Sequence, residues 1–214
     1  MSQPVSLHQA MDNCGLVAIL RGVTPSEVAN IGRVLYETGF RIIEVPLNSP
    51  QPLDSIRALR AALPADCLVG AGTVLTGQAC DEVAAAGGNI VVMPHSDPAV
   101  IRAAKSAGMA CAPGVATLTE AYAALAAGAD ILKLFPAEAL SPAVLKAWRA
   151  VLRPPVALVP VGGIVPERIA AYTAAGASGF GLGSALYRPG DSSTQVATQA
   201  AAFIQAWQQA YQPA

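Results

Sequence analysis

The chain has 214 residues, 53% of them hydrophobic and 13% charged, and its 13 basic side chains stand against 14 acidic ones for a formal net charge of −1. So apolar and balanced a composition excludes a disordered tail or a polyelectrolyte, and it offers no bulk field to nucleic acid or anionic lipid, so partners are sought among small molecules. No segment approaches the roughly 18 uninterrupted apolar residues of a membrane span, and the N-terminus lacks a leader pattern, so one cytoplasmic domain over residues 1–214 is expected.

In chain order, Pro4 to Asn13 carries Val5, Leu7 and Met11 at helical spacing and is expected to form a helix covering a barrel floor. Short β-branched or apolar runs follow at Leu16–Leu20, Arg41–Val45, Cys67–Gly72, Ile90–Met93, Met109–Ala112, Asp130–Phe135, Ala157–Val161 and Gly179–Gly183. Their centres, from Ala18 to Gly181, lie 20 to 27 residues apart, room for one strand, one helix and two short loops. Thr24-Pro25-Ser26-Glu27 and Ser141-Pro142 read as helix starts, and Gly39, Gly87, Gly108, Gly128 and Gly176 as helix ends. The last stretch, Ser193–Gln209, places Val196, Ala200, Phe203 and Trp207 on one helical face. Eight strand–helix units after an N-terminal helix predict an α/β protein of the (β/α)8 TIM-barrel class, with a doubly wound open sheet as the alternative. The four cysteines, Cys14, Cys67, Cys80 and Cys111, form no CxxC pair and are expected to be buried and reduced.

In such a barrel the strands aim their C-terminal ends at one mouth, which shortens the list of candidate residues. Lys133 interrupts the apolar Ile131-Leu132-Lys133-Leu134-Phe135, and Glu44 interrupts Ile42-Ile43-Glu44-Val45. Burial lowers a lysine's pKa and raises a carboxyl's, giving one group suited to a Schiff base and one suited to proton transfer. The competing reading is a purely structural Lys133–Glu44 ion pair. Arg21 ends the first strand and could fork onto a carboxylate or orient Glu44. The last two strands end in Val161-Gly162-Gly163 and Gly183-Ser184, where backbone N–H groups can approach an anion, at the usual phosphate position of such barrels. His8 and His95 stand apart without clustered carboxylates, so no metal and no cofactor are expected.

Taken together, Ile19-Leu20-Arg21-Gly22, Ile43-Glu44-Val45-Pro46-Leu47-Asn48-Ser49-Pro50, Gly70-Ala71-Gly72-Thr73-Val74, Leu132-Lys133-Leu134-Phe135-Pro136 and Val161-Gly162-Gly163 resemble the 2-keto-3-deoxy-6-phosphogluconate/phosphogalactonate class I aldolases. The resemblance runs from about Leu16 to Tyr187, with the motifs in the family's order. It implies a (β/α)8 barrel, a homotrimer, and cleavage of a phosphorylated 2-oxo sugar acid to pyruvate and glyceraldehyde 3-phosphate. Lys133 is then the Schiff-base lysine and Glu44 the proton shuttle. Arg21 and Thr73 would hold the pyruvoyl end, Pro94 and Phe135 would wall the pocket, and Gly162, Gly163, Gly183 and Ser184 would bind phosphate.

Two positions depart from the phosphogluconate pattern: Asn48 stands where an arginine is usual, and Val161 where a threonine is usual. Both resemble the phosphogalactonate branch, and the first leaves Arg21 to carry the carboxylate contact. Three alternatives stand beside this reading: an isomerase or epimerase using Glu44 and Lys133 without a covalent bond, an aldolase of unphosphorylated 4-hydroxy-2-oxoglutarate, and a non-catalytic phosphometabolite-binding protein.

Overall fold

The computed structural model describes residues 6–211. Helices and strands alternate through α1 (Leu7–Asn13), β1 (Leu16–Ile19), α2 (Pro25–Thr38), β2 (Ile42–Pro46), α3 (Pro52–Ala62), β3 (Leu68–Gly72), α4 (Gly77–Ala85), β4 (Ile90–Val92) and α5 (Pro98–Ser106). The second half continues with β5 (Ala110–Ala112), β6 (Gly114–Val115), α6 (Leu118–Ala126), β7 (Ile131–Leu134), α7 (Pro142–Arg149), β8 (Ala157–Pro160), α8 (Pro166–Ala174), β9 (Phe180–Leu182) and α9 (Ser193–Ala210). Pro4 and Val5 of the expected first helix lie outside the described residues. From Leu7 onward that helix is present, its Ser6 hydroxyl accepting from the Gln9 backbone N–H at 3.2 Å and its Ser6 N–H donating to the Gln9 side-chain Oε1 at 3.0 Å.

Local chemistry explains the boundaries. Proline opens α2, α3, α5, α7 and α8, where its missing N–H is not needed and its fixed φ suits the first turn. At α2 the Glu27 carboxylate accepts from the Thr24 N–H at 3.0 Å. The glycines expected to end helices all lie at positive φ.

The strands are parallel, as crossover helices require, and they fall into two sheets. Six are ordered β5-β4-β3-β2-β1-β9 and three are ordered β6-β7-β8. This differs from the eight uninterrupted runs expected. The strand anticipated at Met109–Ala112 is split: Pro113, with no N–H to give a neighbour, separates β5 from β6. Hydrogen bonds nevertheless run between the sheets. Asp130 N–H donates to Cys111 O at 3.0 Å and Lys133 N–H to Pro113 O at 2.9 Å, while Val161 bridges Gly181 and Ser178 N–H donates to Leu158 O at 2.8 Å.

Period-two alternation sends side chains to two apolar clusters. One holds Val17, Ile19, Ile42, Leu68, Ile90, Val92, Ala112, Ile131, Val159 and Val161, together with Leu7, Ala10 and Met11 of α1. The short first helix therefore packs in one apolar cluster with these strand side chains. The other cluster lies between strands and helices and includes Leu16, Ile43, Val69, Leu132, Leu158, Phe180, Phe203 and Trp207. All four cysteines are buried and unpaired. Among the described residues no helix is long and apolar enough to cross a membrane.

Candidate active site

Parallel register brings the polar interruptions of separate strands to one place. Ile19 of β1 lies opposite Glu44 of β2, Glu44 opposite Gly70 of β3, and Lys133 of β7 between Gly114 of β6 and Val159 of β8. At these strand ends opens a cavity of about 400 Å³. Arg21, Glu44, Thr73, Pro94, Lys133, Phe135, Val161, Gly162, Gly163, Gly183 and Ser184 all line it. Every sequence-predicted site residue is thus brought to one cleft. A second cavity of similar size, beside α9 and lined by Cys14, Trp207 and Tyr211, contains no buried charged side chain.

Glu44 and Lys133 are the only charged side chains among the buried residues described, at 2% and 8% exposure. Burial raises the Glu44 carboxyl from 4.5 to about 7, although Lys133, Arg21 and the Gly72 backbone all favour its charged form. Desolvation is also the main influence on Lys133, whose pKa is lowered below 10.5; Glu44 opposes that change and Arg21 adds to it. The ammonium end of Lys133 sits 4.5 Å from the centre of the Phe135 ring. Among the described residues the ion pairs are Arg41–Asp66, Arg57–Asp54 and Lys105–Asp130, so Lys133 and Glu44 are not joined as a structural pair. Among the described residues, one Glu44 oxygen has no hydrogen-bond partner. Two desolvated ionisable groups face the same cavity with bonding capacity to spare, a combination that costs stability and suits chemistry.

The neighbouring residues shape this end. A Cβ on Gly72 would collide with the Glu44 carboxyl, so glycine there makes room for the acid. Arg21 donates to Asn48 Oδ1 at 2.5 Å and to Thr73 Oγ1 at 3.4 Å. Asn48, which stands where an arginine was the usual residue, therefore holds the remaining arginine in place. Thr73 adopts φ 57°, a left-handed conformation strained for a β-branched side chain, at the point where its hydroxyl meets Arg21.

Comparison with known proteins agrees with this geometry. The family model described as KDPG and KHG aldolase matches residues 7–198. The chain belongs to that family. It is 48% identical over 198 residues to the 2-dehydro-3-deoxy-6-phosphogalactonate aldolase of Escherichia coli K12, covering 92% of this chain and 96% of the relative. It is also 48% identical over 196 residues to a probable aldolase of the same name from Rhizobium meliloti, covering 92% of each. A solved structure described as native KDPGal superposes with a TM-score of 0.89 at 46% identity, covering 91% of this chain and 95% of the other.

In this member of the KDPG and KHG aldolase family the far end of the cleft is built from backbone. Gly162 and Gly163 have φ 112° and 58°, conformations that free the chain to turn its amides toward a ligand. Sequence reasoning missed two charged residues here, Glu138 and Arg188, which also line the cavity. Both are exposed and lie in loops after strands, so neither hydrophobic periodicity nor an apolar neighbourhood singles them out. Their nearness to the two glycine-bearing turns was the available signal: Glu138 follows the Lys133-Leu134-Phe135-Pro136 motif and Arg188 the Gly183-Ser184 pair.

Proposed function

We propose that this chain is a class I aldolase that cleaves 2-dehydro-3-deoxy-6-phosphogalactonate, or its phosphogluconate epimer, to pyruvate and D-glyceraldehyde 3-phosphate. The observation that carries the reading is Lys133: a lysine buried on an apolar strand, its pKa lowered by desolvation, facing one cavity with Glu44 and not paired to it. The names of the two relatives at 48% identity supply the substrate class, and Val161 and Asn48 favour the galacto epimer.

In this mechanism the neutral Lys133 amine adds to the C2 carbonyl and water leaves, giving a protonated imine. The C3–C4 bond then breaks, its electron pair passing into the imine to form an enamine. Glu44, directly or through water, takes the C4 hydroxyl proton, and glyceraldehyde 3-phosphate departs. The same carboxyl returns a proton to C3, and hydrolysis of the imine frees pyruvate and Lys133. Arg21, held by Asn48 and Thr73, binds the substrate carboxylate. Pro94 and Phe135 wall the pocket, Val161 contacts the substrate near C4, and Gly162, Gly163, Gly183 and Ser184 bind the phosphate. The chemistry assigned to these residues calls for no metal or cofactor.

The same proposal extends to architecture. The hydrogen bonds between β5, Pro113 and β7, and the bridge from Val161 to Gly181, support a closed (β/α)8 barrel in which β5 and β6 act as one interrupted strand. A homotrimer in the cytoplasm completes the reading. Its support is the exposure of Leu75, Tyr122 and Val151 and the unpaired state of the four buried cysteines. Steady-state release of pyruvate from each epimer tests the activity. Cleavage with a larger kcat/KM for the galacto epimer is expected, and no cleavage of either would reject it.

A further inference from the structure

Glu138 occupies an unexpected place for an acid. A Cβ added to Gly162 or Gly163 would meet its carboxyl atoms, so the side chain lies directly against the turn assigned above to phosphate. Glu138 takes part in none of the ion pairs among the described residues. Its backbone is fixed on the preceding side. Ala137 is buried, its N–H donates to Val161 O at 2.8 Å, and its carbonyl accepts from the buried Tyr172 hydroxyl at 2.8 Å. The side chain itself is exposed.

Arg188 lines the same end from the other glycine-bearing turn. Its Nε donates to Ser184 O at 2.9 Å and its backbone N–H to the Asp191 carboxylate at 2.9 Å. These bonds orient the guanidinium beside Ser184 and leave its terminal nitrogens without a protein acceptor among the described residues. Of the residues lining the cavity, a dianion arriving between the two turns therefore meets one cation, Arg188, and one anion, Glu138, with Arg168 behind the turn donating to Gly163 O at 2.9 Å, while Arg21 and Lys133 belong to the pyruvate end.

We propose that Glu138 is a displaceable anion resting on the phosphate seat and opposing Arg188, so that a phosphate binds at this end of the cleft only by turning the carboxylate out. The proposal rests on the phosphate assignment above. In the free protein the Glu138 carboxylate covers the Gly162–Gly163 turn. An incoming phosphate repels it and turns it outward, then accepts hydrogen bonds from the turn amides and from Arg188. A neutral or singly charged end gains less from Arg188 and the amides, and displaces Glu138 less completely.

Equilibrium titration of the full chain with glycerol 3-phosphate, and with glycerate as a singly charged probe, tests this without reference to turnover. Glu138→Gln and Glu138→Ala should each tighten glycerol 3-phosphate binding by about three- to tenfold, the size of one like-charge contact near solvent, and the gain should shrink as salt is raised. Arg188→Met should weaken it by at least about tenfold. The preference for glycerol 3-phosphate over glycerate should move in the same directions. Unchanged or weaker binding in both Glu138 variants, or wild-type binding in Arg188→Met, would overturn the proposal. Trapping of pyruvate by borohydride on the same wild-type preparation separates the two readings. Trapping without the phosphate pattern rejects this inference alone, and the pattern without trapping rejects the aldolase chemistry alone.

Discussion

Replacing Glu44 with glutamine preserves the side-chain shape and removes the titrating carboxyl, so it measures what burying that group costs. Glu44 is 2% exposed, and its carboxyl is raised from 4.5 to about 7. Because the folded value lies above the unfolded one, the folded state holds the proton more tightly. The stability this contributes is complete below about pH 4.5 and is lost as pH rises through about 7. The displacement from 4.5 to about 7 corresponds to about 3 kcal/mol at pH 8 and to under about 1 kcal/mol at pH 5. Glu44→Gln should therefore be more stable than wild type at pH 8, by up to a Tm increase of roughly 6 to 12 °C for a chain of this size, with the gain fading toward pH 5. Loss of the attraction between Glu44 and Lys133 makes that figure a ceiling. Thermal unfolding of both proteins from pH 5 to pH 8 is the assay. A variant less stable than wild type at pH 8, or a difference that does not change with pH, would refute the reasoning, because it would make the carboxylate a stabilising structural group.

The proposed mechanism and packing make further predictions. Since Glu44 must be ionised to accept the C4 hydroxyl proton, kcat/KM for cleavage should fall as pH drops through about 7, and a flat profile between pH 6 and pH 8 would exclude that role. Val161→Thr should raise the kcat/KM ratio of the gluco over the galacto epimer by about 10- to 200-fold; an unchanged ratio would remove the argument for this position. Gly72→Ala places a methyl where the Glu44 carboxyl stands and should destabilise the fold by about 1 to 3 kcal/mol in urea unfolding while lowering kcat. A variant as stable and active as wild type would show that the carboxyl does not need that space.

What the sequence disclosed depended on how each residue's role is written in its neighbourhood. Lys133 and Glu44 were legible because a charge inside an apolar strand is costly, and that conflict is visible without coordinates. The alternation of strands and helices was legible for the same kind of reason, since apolar runs, helix-opening prolines and helix-ending glycines repeat in order. The break at Pro113 was missed because the next strand, Gly114–Val115, has two residues and no period of its own. The hydrogen bond from Arg21 to Asn48 spans 27 positions and depends on β1 lying beside β2, so it emerged only with the fold. Thr73 gave no sign of its positive φ, because threonine ordinarily avoids that conformation and tertiary contacts impose it here. Glu138 and Arg188 were hidden for the opposite reason to Lys133: they are exposed, and an exposed charge in a loop is unremarkable until its neighbours are known.

The central claim is that Lys133 forms a covalent imine, and trapping tests it most directly. Wild type and Lys133→Met would be incubated with pyruvate and borohydride, weighed intact and mapped by peptide. The account predicts one reduced pyruvoyl adduct on wild type, confined to Lys133, and none on a folded Lys133→Met. No adduct on folded wild type, or an adduct retained by the variant, would contradict it.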